Sequence, residues 1–143
     1  MANFLHPFIE DPQCAYALRN ARNGRVLAHH VVGAFESKTR RQGLLGRDAF
    51  ADGHAMIIAP SNAIHTFFMK FSLDVAFVRR DGFVLKCLSS VEPWHVAAAL
   101  RAYAVIELPA GALKRHDTTA GDFIRIVPAI SSVVDTSLVA RVG

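Results

Sequence analysis

His65 and Asp74 are the residues of this sequence best placed to do chemistry, because both sit inside a largely apolar run, Ile64 to Val78. An imidazole can serve as a base near neutral pH, and a carboxylate can orient it or accept donors. Buried without a partner, either group would cost a few kcal/mol, and more if charged. The fold must answer both of them. Glu107 is the next informative carboxylate: it shares a strand face with Tyr103 and Val105, and Pro109 lies just beyond. A partly buried glutamate needs a cation or donors, so a salt bridge to Arg41 or Arg47 fits, as do helix N–H groups after Pro109. Trp94, flanked by His95 and near Arg101, can form the rim of a pocket or pack its loop onto a sheet. The candidate binding set is therefore His65, Asp74, Glu107, Arg47 and Trp94, with no catalytic residue assigned.

Plainer roles stand beside each of these. His65 can be a neutral imidazole bonded to a backbone carbonyl, and Asp74 can accept backbone N–H groups or meet an arginine. Asp122, after Gly121, reads as turn chemistry. Read as a hairpin turning near Phe71 and Ser72, the segment from Ile64 to Arg79 places Ile64, Thr66, Phe68, Leu73, Val75 and Phe77 on one face. His65, Phe67, Met69, Asp74, Ala76 and Val78 take the other. In that register His65 and Asp74 stand about four residues apart along the ribbon, on the order of 13 Å, which disfavours a direct dyad. His54, His95 and His116 form no HExxH or paired Cys/His spacing, and His29 and His30 point to opposite faces, so neither metal nor cofactor is expected. GxSxG, Walker-type and GxGxxG motifs are also missing from the sequence.

The elements that must position these residues are mostly strands. Asn23-Gly24 signals a β-hairpin between Ala15–Asn20 and Arg25–Val32. Ser37 or Thr39 can cap a short helix running to about Leu45, with Gly43 inside it at a cost of about 1 kcal/mol and Gly46 as the stop. Strands are expected at His54–Ala59, Ile64–Met69, Asp74–Arg79, Phe83–Val91, Ala102–Leu108 and Asp122–Val127, with a turn at Arg80-Asp81-Gly82. The loop from Pro93 carries one helical turn through Leu100, and Pro109 opens a second short helix. Ser132-Val133-Val134 is strand-like. This pattern predicts a β-rich α+β fold: a curled, mainly antiparallel sheet or small barrel with two short helices.

Length and composition agree with one domain spanning residues 1–143. The chain has 143 residues, 52% hydrophobic and 20% charged, enough to bury a substantial core. Its formal net charge of +4 is scattered in small groups rather than gathered on one run, which argues against nucleic acid as a partner. The start lacks the features of a secretory signal, no stretch suits a membrane span, and Cys14 and Cys87 form no CxxC unit. A cytoplasmic location is the expectation.

Gly43-Leu44-Leu45-Gly46-Arg47, His65-Thr66-Phe67-Phe68-Met69, Leu73-Asp74, Glu107-Leu108-Pro109-Ala110-Gly111 and Gly121-Asp122 follow one another in an order that resembles domain-of-unknown-function family 192. The resemblance covers about residues 25–127 and leaves 128–143 as a tail. It implies a small β-rich single domain, often preceded in relatives by a secretion or anchor segment that this chain does not show. Phe68 and Phe71-Ser72 stand where many relatives carry a tryptophan and an Asn-Thr or a proline. No activity comes with the resemblance. Three readings stay open: a non-catalytic module binding a small polar ligand or a protein segment, a hydrolase using His65 with Asp74 or Glu107, and an assembly protein pairing through its tail.

Overall fold

Leu73–Val78 and Ala104–Pro109 are buried at every position, the mark of strands covered on both faces. The computed structural model describes residues 2–129, and in it these two strands pair at the middle of the largest sheet. In chain order the elements are α1 (His6–Glu10), β1 (Tyr16–Asn20), β2 (Val26–Ala28), β3 (His30–Ala34), α2 (Ser37–Gln42), β4 (His54–Ile58) and β5 (Ala63–His65). There follow β6 (Leu73–Val78), β7 (Val84–Val91), β8 (Val96–Ala98), β9 (Ala104–Pro109), α3 (Ala112–Arg115) and β10 (Ile124–Pro128). A five-stranded sheet runs β3-β4-β9-β6-β7, with β3 and β4 parallel and the other neighbours antiparallel. β10-β1-β2 form a second sheet, and β5 pairs with β8 as a two-stranded ribbon.

Pleating gives the large sheet two cores. Ala55, Ile57, Ala76, Val78, Ala104, Ile106 and Leu108 pack with Leu18, Leu27, Ile124 and Ile126 of the three-stranded sheet. The alternate residues Met56, Ile58, Leu73, Val75, Phe77 and Val105 pack with Ile64 of the ribbon and with Leu44, just past α2. The fold is thus the expected β-rich one, curled at the Phe83–Phe123 bridge, with three short helices and no closed barrel among the described residues.

Several local expectations need correction. Ile64 to Arg79 is not a hairpin: β5 pairs with β8, whereas β6 pairs with β7 and β9. Thr66 diverts the chain, its N–H donating to the His95 carbonyl (2.8 Å) and its hydroxyl to the Glu92 carbonyl (2.7 Å). Phe68 is consequently exposed rather than in the core. The Pro93–Leu100 loop carries strand β8 instead of a helical turn, because its backbone completes this ribbon. Arg25–Val32 divides into β2 and β3, which join different sheets. Pro109 closes β9, and α3 begins only at Ala112. Gly43 ends α2 rather than lying inside it, and its φ of 47° turns Leu44 into the core. Apart from Ala129, the tail and its Ser132-Val133-Val134 segment lie outside the described residues.

Two buried aspartates fasten this frame. Asp122 accepts from Arg22 Nε (2.6 Å), Asn20 Nδ2 (2.9 Å) and the Thr119 N–H (3.0 Å), and the Arg22 contact chiefly holds its carboxyl down at about 2. Asp74 is fully buried: Oδ1 accepts the Ser90 N–H (2.8 Å) and Oδ2 the Leu113 N–H (3.0 Å). The first bond fixes a bulge in β7, where the pairing shifts between Leu73–Val91 and Val75–Leu88. The second supplies the first turn of α3 with an acceptor that its own N-cap, Gly111, lacks. Removing the carboxylate strands two N–H groups, so Asp74→Ala should cost about 2–4 kcal/mol in urea unfolding, and Asp74→Asn less. A loss below about 0.5 kcal/mol for Asp74→Ala would contradict this fastening role.

Candidate functional site

Glu107 lies at the centre of β9, on the face that carries Val105. Its cross-strand neighbours on that face are Met56 of β4 and Val75 of β6, neither of which offers a charge or a donor from its side chain. Only 7% of the residue is exposed, and Oε2 has no hydrogen-bond partner among the described residues. Burial alone pushes its pKa up to about 7. The expected salt bridge to Arg41 or Arg47 is not formed among the described residues. Arg41 is exposed at the end of α2, and Arg47 is exposed beyond the turn that follows it.

What lies over Glu107 instead is a cleft of about 420 Å³. Arg40, Arg41 and Gln42 of α2 form one side, continued by Gly43, Leu44 and Leu45. Ile58, Pro60 and Ser61, then Ile64 and His65 of the ribbon, form the other, with Met69 closing one end. Arg40 is held by the Phe35 carbonyl and the Ser37 hydroxyl, so its charge is fixed in place beside the opening. His65 is exposed on β5 and its ring stacks on Phe67 with centroids 5.0 Å apart. The arrangement offers one buried carboxyl at depth, an imidazole on one wall and the arginines Arg40 and Arg41 on the other.

Of the five candidates, His65 and Glu107 meet at this cleft. Asp74 does not: it stands opposite Leu108 in the register, on the other face of the sheet from Glu107, and is sealed by its two N–H donors. Arg47 is not among the lining residues, and Trp94 sits outside the cleft, ring against Phe67 and Phe68. Sequence reasoning missed Met69, Ser61 and Arg40. The one available signal was Gly43, since a glycine between polar and apolar runs marks a change in chain direction. Among the described residues no group of three or more His, Cys, Asp or Glu side chains is arranged to hold a metal. No helix among them is long and apolar enough to cross a membrane.

Comparison with known proteins assigns the fold a family. Residues 18–126 match the model of DUF192, described as an uncharacterized ACR, and the chain belongs to that family. No curated protein matches it. A crystal structure from Sinorhizobium meliloti 1021, named a "putative transcription regulator", is similar with a TM-score of 0.67 at 24% identity, over 78% of this chain and 92% of that one. A protein of unknown function from Novosphingobium aromaticivorans DSM 12444 gives a TM-score of 0.65 at 22% identity, over 78% of this chain and 83% of that one. These likenesses are of fold.

The unpartnered carboxyl has a pH signature. Its pKa rises from 4.5 to about 7 on folding, so the folded chain holds the proton more tightly and stability falls as pH rises across that window. The neutral isostere Glu107→Gln escapes this penalty. It should match the parent protein near pH 4.5 and exceed it by up to about 3 kcal/mol at pH 8, measured by urea unfolding at both values. A variant less stable than the parent at pH 8 would mean that the carboxylate has a partner.

Proposed function

We propose that this member of the DUF192 family is a non-catalytic module that binds a small polar ligand in the cleft above Glu107. The observation that supports the reading is the Glu107 carboxyl, which lines the base of an open cleft while its buried Oε2 has no donor among the described residues. A buried polar atom left unpaired costs free energy that a ligand hydroxyl, amide or ammonium recovers by donating to it. The surrounding Leu45, Ile58, Ile64 and Met69 suit a compact ligand with an apolar side, and His65 and Ser61 add polar contacts. A cytoplasmic setting goes with this reading. Thermal-shift measurements against small polyols, monosaccharides, amino acids and hydroxy acids should find one class that raises Tm in the parent protein and not in Glu107→Ala. Equal shifts in both proteins, or none, would refute the cleft as the binding site.

The second reading, acid–base catalysis, is favoured by one feature: a carboxyl titrating near 7 shares the cleft with an imidazole. The carboxyl in this reading is Glu107 and not Asp74, which faces away. Under this reading, turnover of nitrophenyl esters or glycosides should show a bell-shaped pH profile and fall at least about a hundredfold in both His65→Ala and Glu107→Gln. Turnover that survives either change excludes it.

A further inference from the structure

At the Thr66 end of the β5–β8 ribbon, His65 on the cleft wall is followed by three rings outside the cleft, Phe67, Phe68 and Trp94. His65 stacks on Phe67 (5.0 Å, 28°), Phe67 lies against Trp94 (5.8 Å, 31°), and Trp94 against Phe68 (4.7 Å, 60°). Phe68 is 73% exposed and Trp94 61%. Both hold positive φ, 66° and 67°, a backbone region that L side chains adopt only at a cost. One buried residue enforces this: the Thr66 carbonyl accepts the Trp94 N–H (3.0 Å) and the Met69 N–H (3.2 Å), and its hydroxyl accepts the His95 N–H (2.9 Å). Burial does not explain a strained backbone that turns two large aromatic side chains into water. Such strain, held by surrounding structure, is the kind found at ligand clamps.

We infer that these rings form a stacking shelf that continues the Glu107 cleft, and that the shelf and cleft together take a neutral oligosaccharide. The inference rests on the proposed binding role of the cleft and names its ligand class. His65 joins the two parts, lining the cleft while stacking on Phe67. A pyranose presents a face of C–H groups to an aromatic ring and hydroxyl donors at its edge, which matches exposed rings beside an unpartnered carboxyl oxygen. Charge points the same way: neither Ala63–Met69 nor Pro93–Leu100 contains Asp, Glu, Lys or Arg. The ring-bearing shelf thus carries no Asp, Glu, Lys or Arg, and the arginines Arg40 and Arg41 lie across the cleft on α2; an uncharged stacking surface suits a neutral chain of sugars rather than phosphate or anionic lipid.

Trp94 is the only tryptophan in the sequence, so its emission reports on the shelf alone. Maltohexaose, chitohexaose and glucose should be titrated separately, with phosphatidylcholine–phosphatidylglycerol vesicles in a parallel arm. One hexasaccharide should shift and quench the emission saturably, with glucose at least about tenfold weaker. Phe68→Gly should weaken the hexasaccharide about tenfold while leaving Tm unchanged or raised, because glycine relieves the positive φ. A purely structural role for Phe68 would instead lower Tm and leave binding intact, which overturns the shelf. Emission that responds to vesicles alone assigns the face to a lipid surface, and emission that responds to nothing also overturns the inference. In both of those cases a Tm rise with a small compound that Glu107→Ala abolishes still supports the cleft.

Discussion

The pleat of β9 is the constraint on which the rest of the structure depends. This strand lies in the middle of the large sheet, covered on both faces, so every side chain on it must be answered by one of two cores. Ala104, Ile106 and Leu108 are answered by the three-stranded sheet. Val105 is answered by the core beneath the ribbon. Glu107 falls on that same side and finds only apolar side chains across the strands. A slip of one residue would carry Glu107 into the main core and put Ile106 and Leu108 on the wrong face. The register is therefore held by hydrophobic packing, and the acid is carried along with it.

Two acids one strand apart show how little residue type decides. Asp74 and Glu107 stand in neighbouring strands, separated by one step of register and by the plane of the sheet. Asp74 is short, sits beside a bulge and the start of α3, and is satisfied by backbone N–H groups. Glu107 is longer, is buried, and forms no ion pair among the described residues, so its proton is retained toward neutral pH. The first is a fastening within the fold. The second is chemistry left unanswered by the fold, which is why the functional reading centres on it.

Much of this was legible in the sequence, and the limits are physical. Alternation and turn dipeptides gave most strands, the Asn23-Gly24 hairpin and the Arg80-Asp81-Gly82 turn, because these depend on local preference. The plainer role for Asp74, bonded to backbone N–H groups, was also visible from its short polar side chain in an apolar strand. Partner choice was not. Nothing in Ala63-Ile64-His65 shows that it pairs with Val96–Ala98 across some thirty residues, since both neighbours of that segment in the chain are equally strand-like. The error had consequences: the false hairpin buried Phe68 and put His65 and Asp74 on one face. Glu107 as a site residue came from its type and setting, whereas its lack of a cation depended on where α2 ends, a long-range fact set by the turn at Gly43.

The central claim is that Glu107 is an unpaired acid at the base of an accessible cleft, and the most direct test is its own titration. Carbon-13 NMR of the side-chain carboxyl, assigned by comparison with Glu107→Gln, should show a midpoint near 7. Adding the ligand that stabilises the protein should move that midpoint. A midpoint at or below 4.5, unchanged by any ligand, would mean that the carboxylate is already satisfied within the fold, and the account would fail.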